Sequence, residues 1–160
     1  MSEFKFPTEE VDLPSKGLIY PKDNPLSSGK VEVKYMTAKE EDILSNQSYI
    51  QKGIVLDKLL RSVIINKDIN TDDLIVGDKN ALLISTRILG YGKDYDIVVK
   101  GQDYTLDMST LDHREIIESD YESGKNEFHF ETPSTGTRLT YQLSTGRLEK
   151  QIDKEIAGLK

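Results

Sequence analysis

The 160-residue chain has no cysteine and only two histidines. Lack of cysteine excludes a disulfide framework and any thiolate metal site, and makes folding compatible with a reducing compartment. His113 and His129 lie far apart, with no second histidine three or four residues away, so the spacing of a helical or knuckle metal site is missing. No apolar run approaches the roughly 20 residues needed to cross a bilayer. Met1-Ser2-Glu3-Phe4-Lys5-Phe6-Pro7 lacks the basic-then-apolar layout of a signal peptide. Membrane insertion and secretion by that route are both disfavoured. Positive charge is also short: 28 acidic side chains against 21 Lys and Arg leave a formal net charge of -7. A field of that sign repels phosphate backbones and anionic headgroups, which makes nucleic acid and membrane surfaces poor partners.

The motifs of catalysis are missing as well. No Gly-x-Ser-x-Gly elbow occurs, and Ser134-Thr135-Gly136 falls in a hairpin-like turn. Gly90-Tyr91-Gly92 follows a helix and precedes a strand, the wrong order for aiming helix amides at a phosphate, so it reads as a helix stop. Asp72, Asp73, Asp78 and Glu118 are the candidates for an acid-base pair, but no paired spacing sets them apart, and Asp72 and Asp78 have capping roles to fill. His113 sits between Asp112 and Arg114, and His129 alternates with Phe128 and Phe130, which turns it away from the face those aromatics share. Both read as surface or edge histidines. Arg87, inside an apolar helix, reads as a structural arginine paired with Asp78 or Asp94. A small hydrolase using scattered carboxylates and a nucleic-acid-binding protein are the weaker alternatives. The expectation is a non-enzymatic chain with no cofactor and no metal.

What is present is 36% apolar and 31% charged residues, enough for one folded unit but not for two independent cores. Residues 1–16 alternate apolar and charged residues around Pro7 and Pro14 and read as an extended arm. Turns follow at Pro14 to Gly17 and at Asn24 to Gly29, and Val31, Val33 and Tyr35 alternate as in a strand. Thr37-Ala38-Lys39-Glu40 is a capping-box pattern that starts a short helix. A second helix is expected over 50–65. A capped turn is expected near Asn70, and then a helix from Asp78 to the Gly90 stop, whose residues 78–89 are the expected centre of the core. Beyond it, Tyr95 to Val99, Tyr104 to Met108, Phe128 to Thr132 and Leu139 to Leu143 alternate as strands. Thr145 caps a closing helix striped by Leu148, Ile152, Ile156 and Leu159. The expected class is α+β: an arm over 1–16, then a single domain over 17–160. That domain has a helical part over about 37–92, an antiparallel β-meander over about 94–143 and a closing amphipathic helix over about 145–159.

Several segments, in order, resemble the baseplate hub assembly proteins of T4-type contractile-tailed bacteriophages. They are Leu13-Pro14-Ser15-Lys16-Gly17-Leu18-Ile19-Tyr20-Pro21, Val31 to Leu44, Ile54 to Leu60, Leu74 to Leu82 and Arg87-Ile88-Leu89-Gly90-Tyr91-Gly92. The resemblance implies a viral, chaperone-like factor that works in the infected host bacterial cytoplasm and binds other baseplate hub proteins. A permanent structural subunit of the virion baseplate is the alternative. Relatives often carry a Cys-rich knuckle where this chain has Val99-Lys100-Gly101-Gln102-Asp103-Tyr104, so metal binding is not carried over. Without catalytic residues to transfer, partner contact is expected at the chain's two apolar ends: Phe4, Phe6, Leu13 and Ile19 in the arm, and Leu148, Ile152 and Ile156 on the closing helix. Strand addition to a sheet edge and helix-in-groove docking are the matching modes, and packing of both ends on their own domain is the competing reading.

Overall fold

In the computed structural model, which describes residues 7–159, the described part opens with a strand. Thr8–Asp12 (β1) pairs antiparallel with Lys30–Lys34 (β2), Thr8 opposite Lys34 and Asp12 opposite Lys30. Pro7 is tolerated because it precedes the strand and offers only its carbonyl, which accepts from the Tyr35 N–H at 3.1 Å. Val11 and Leu13 are buried. The arm expected over 1–16 is therefore part of the body from Thr8 onward, and its alternation is that of an edge strand. Phe4 and Phe6 lie outside the described residues.

Two turns between these strands lock each other. Gly17 and Gly29 both have positive φ, +76° and +72°. A Cβ on Gly17 would stand 2.6 Å from the Gly29 nitrogen and the Ser27 carbonyl oxygen, and one on Gly29 would stand 2.7 Å from the Lys16 carbonyl oxygen. Backbone on backbone cannot yield, so only glycine fits at either place. Beneath the turns, Leu26 is fully buried on a short 3-10 turn (Pro25–Ser28) capped by the Asn24 side chain.

The Thr37 and Glu40 capping box forms and opens α1 (Ala38–Ser45). The helix expected over 50–65 is divided into α2 (Gln47–Gln51) and α3 (Val55–Val63), because Gly53 takes a left-handed φ of +65° and ends the first piece. Leu59, Leu60 and Val63 of α3 are buried. The chain leaving it covers the outer side of β2, where Ile64 bridges to Val33 and the Ile65 N–H donates to the Glu32 carbonyl. A single turn at Thr71–Asp73, capped by Asn70 rather than by Asp72, leads to α4 (Val76–Tyr91), which stops at Gly92 with φ +82°. This helix buries one line, Asp78, Leu82 and Thr86. The centre of the core is thus not residues 78–89. It is the β1–β2 hairpin and its turns packed on α3, Leu74 and Leu82.

The remaining strands fall where alternation places them: β3 (Asp94–Val99) with β4 (Gln102–Asp107), and β5 (Phe128–Glu131) with β6 (Arg138–Tyr141), before α5 (Gly146–Gly158). Lys100 and Gly101 both take positive φ in the two-residue connection of the first pair, as a tight hairpin requires. The fold is α+β. The expected meander is instead two separate hairpins, because residues 108–127, with turns at Met108–Thr110 and Glu118–Asp120, run between them and contribute no strand that joins the two.

Glu40, fully buried, ties three elements. Its carboxylate accepts from Lys34 Nζ at 2.8 Å, from the Thr37 N–H at 2.9 Å and hydroxyl at 2.6 Å, and from the Ser62 hydroxyl of α3. Burial alone would raise its pKa, but the donors from Lys34, Ser62 and Thr37 outweigh it and bring the group to about 2. The pKa is depressed on folding, so the stabilisation is complete above the ordinary value of 4.5 and is lost as pH falls toward about 2. Two outcomes are expected. Urea titrations between pH 5 and pH 2 should show a loss on the order of 3 kcal/mol that Glu40→Gln largely removes; an equal slope in both proteins would contradict the assignment. Gly17→Ala should destabilise by at least ~2 kcal/mol, whereas Gly101→Ala, also at positive φ but facing open space, should cost about 1 kcal/mol.

Candidate interaction surface

The N-terminal turn is fastened to α4 through a buried carboxylate. Asp78 is the third residue of α4, where the helix dipole favours a negative group, yet it caps nothing. Instead it accepts from the Ser15 N–H at 3.0 Å, the Ser15 hydroxyl at 2.6 Å and the Tyr20 hydroxyl at 2.6 Å. The Tyr20 oxygen in turn accepts from the Ile75 N–H at 3.1 Å, satisfying a donor that the helix start leaves open. Burial, with Asp78 beside it, pushes the Tyr20 phenol well above its usual range, so it stays a donor at all ordinary pH. Among the described residues, no buried side-chain polar atom lacks a partner.

That arrangement decides the fate of two expected contact residues. Leu13 and Ile19 flank Ser15 and Tyr20 and are only 3% and 2% exposed. They face the chain's own core and offer nothing to a partner, because the turn carrying them is held inward by Asp78.

The C-terminal end is different. The α5 start is docked at the same junction: Thr145 bridges to Ile75, the Val76 N–H donates to Ser144, and the Gly146 N–H donates to Leu74. The Thr145 hydroxyl caps the helix through the Leu148 N–H. Lys150 reaches Asp72 at 2.7 Å and Asp57 at 3.1 Å, and Arg147 reaches Asp73 at 2.5 Å. Asp57 also binds Lys79 and Asp72 also binds Arg61. Partial burial opposes ionisation of Asp57 and Asp72, but these cations outweigh it and hold both below the usual carboxylate range. The docking covers only the first turns. Leu148 is half-buried, whereas Ile152, Ile156 and Leu159 are 43%, 51% and 87% exposed along one side.

Strand pairing assembles two further apolar faces, one of which the alternation of Phe128 and Phe130 already marks. In β3–β4, Tyr95, Val99 and Tyr104 share one face and are exposed; in β5–β6, Phe130, Leu139 and Tyr141 do the same. The signal was present, since cross-strand pairing of two alternating runs puts their apolar residues together. What alternation does not reveal is that these named side chains stay largely exposed among the described residues.

The polar candidates are dispersed. His113 and His129 are both exposed, as expected. Asp72, Asp73, Asp78 and Glu118 do not converge: the first two hold α5, the third holds the N-terminal turn, and Glu118 pairs with Lys16 at 2.7 Å. Arg87 is not paired with Asp78, whose oxygens serve Ser15 and Tyr20. It donates to the Gly92 carbonyl at 3.0 Å and lies over the rings of Tyr91 and Tyr95, 4.9 and 5.6 Å from their centroids. Among the described residues no cluster of three or more His, Asp or Glu side chains is placed to hold a metal ion, and no helix is long and apolar enough to cross a membrane. The chain matches no protein-family model, no curated protein and no solved structure.

Asp78→Ala would leave three buried donors without an acceptor. It is expected to cost about 3–5 kcal/mol in urea denaturation, against about 1 kcal/mol for Tyr20→Phe, which removes one hydroxyl and leaves Ser15 in place. Equal, small losses in the two variants would contradict the central role given to the carboxylate.

Proposed function

We propose that the chain is a non-catalytic, protein-binding assembly factor of the phage tail baseplate hub, acting in the host bacterial cytoplasm. The reading rests on the resemblance, over roughly residues 10–160 and in the order of several segments, to hub assembly proteins, and on one structural observation: the apolar side of α5 continues past its docked turns and is exposed among the described residues. An amphipathic helix held firmly at one end and bare along the other is suited to lying in a partner's groove. Of the five expected contact residues that are described, this leaves Ile152 and Ile156, with Leu148 at the border, as the working stripe, which Leu159 extends; Phe4 and Phe6 lie outside the described residues and stay expected contacts. The large buried acids are committed to holding the fold, which supports a binding role over a hydrolytic one. A net charge of -7 favours protein over nucleic acid as partner.

Co-expression with baseplate hub proteins should yield a complex that survives affinity purification. Ile152→Glu/Ile156→Glu, at exposed positions, should abolish it while leaving the melting temperature within about 2 °C, as surface substitutions usually do. No complex with any hub protein, or one indifferent to the double variant, would remove this reading. Recovery of the chain from purified virions in stoichiometric amount would instead assign it as a permanent subunit.

A further inference from the structure

Beside the β5–β6 hairpin lies a groove of about 690 Å³, open to solvent. Its floor is apolar. Phe128 stacks on Tyr141 with ring centroids 5.4 Å apart, Tyr121 meets Phe128 edge-on at 5.5 Å, and Ile116 and Leu143 complete the lining. The floor is firmly mounted, since Asn126 clamps Leu143 through two hydrogen bonds of 2.9 Å, one to its carbonyl and one from its N–H. The exposed side chains of Phe130 and Leu139 prolong the same apolar face along the hairpin.

The rim carries the opposite character. Glu115, Asp120, Glu122 and Glu127 stand around the floor against Arg114, with His129 at one end. Lys125 offsets Glu122 at 2.5 Å, and His129 lies 3.6 Å from Glu127. The remaining excess is negative. Among the described residues neither β5 nor β6 has a second strand partner, so backbone donors and acceptors remain along the hairpin's outer edges.

We infer that this groove is a docking site for an extended polypeptide segment in which aliphatic or aromatic residues alternate with Lys or Arg. The aromatic floor takes the apolar side chains, the acidic rim takes the basic ones, and a free hairpin edge supplies main-chain pairing. A second copy of this chain is a poor occupant, because it brings the same net charge of -7. The inference rests on the protein-binding reading above and adds a second, chemically defined contact, separate from α5.

A random peptide display library, panned against the full chain at low salt, tests it. Enriched sequences should alternate apolar residues with Lys or Arg, and a synthetic peptide of that sequence should bind more weakly as salt rises. Glu115→Lys/Glu127→Lys, both at exposed positions, should weaken that peptide about tenfold without lowering the melting temperature, and Tyr141→Ser should weaken it comparably through the floor. Enriched peptides that ignore both groove variants but are lost with Ile152→Glu/Ile156→Glu would overturn the groove and leave the assembly-factor reading standing. No enriched sequence at all would also overturn the groove, and complex formation with hub proteins would then decide the assembly reading by itself.

Discussion

A single buried carboxylate holds this molecule in register. Asp78 gathers the Ser15 amide, the Ser15 hydroxyl and the Tyr20 hydroxyl, and through Tyr20 it reaches the Ile75 amide at the start of α4. A charge taken out of water is tolerable only when each oxygen finds donors, and here each does. The cost of leaving those donors unmet is what forces the turn over residues 13–20 down onto α4. From that follow the burial of Leu13 and Ile19 and the close approach of Gly17 to Gly29. The same junction receives the C-terminal segment, since Leu74, Ile75 and Val76 pair with residues 144–146. The turn over residues 13–20 and the start of α5 therefore meet at one place, the first buried and the second only begun.

The asymmetry between the ends has an electrostatic origin. The acids of 57–73 lie under the first turns of α5, where Lys150 and Arg147 can reach them. Beyond Lys150 the described body offers α5 no comparable anchor. Ion pairs at half-exposed positions contribute modestly, on the order of 1 kcal/mol or less each. They suffice to orient the helix start, while the apolar stripe beyond it gains nothing from the chain itself. Both C-terminal hairpins show the same pattern on a smaller scale, with one apolar face each that is only partly covered by the described residues. An isolated two-stranded hairpin is marginal by itself. The C-terminal half is thus the part of the fold that has most to gain from a partner.

Much of this architecture is legible in the amino-acid order. The box at Thr37 and Glu40, the cap at Thr145, the stop at Gly92 and all four later strands stand where periodicity and turn chemistry place them, because those signals are local. The misreadings share one cause, which is that a partner distant in sequence decides the outcome. Residues 8–12 pair with a strand some twenty positions on, so an alternating run that looks like an arm is an edge strand. Gly53 splits a helix that apolar spacing alone would continue. Asp78 looks like a cap, and its real partners lie 58 and 63 positions away. Arg87 was expected to seek a carboxylate and instead rests on two tyrosine rings, one of them on its own helix. At the candidate surface, the stripe of α5 is legible, and the burial of Leu13 and Ile19 is one of the two readings an apolar arm allows, decided by the distant partner Asp78.

In the proposed reading, a body fastened at Asp78 presents the far part of α5 as a surface for another polypeptide. Hydrogen-deuterium exchange read by mass spectrometry, on the free chain and again with baseplate hub proteins added, addresses it most directly. Residues 15–20 and α4 should exchange slowly in both states, whereas the amides of α5 beyond Lys150 should exchange rapidly when free and become protected in the mixture. Protection of that segment already equal to α4 in the free chain, or no change when hub proteins are present, would contradict it.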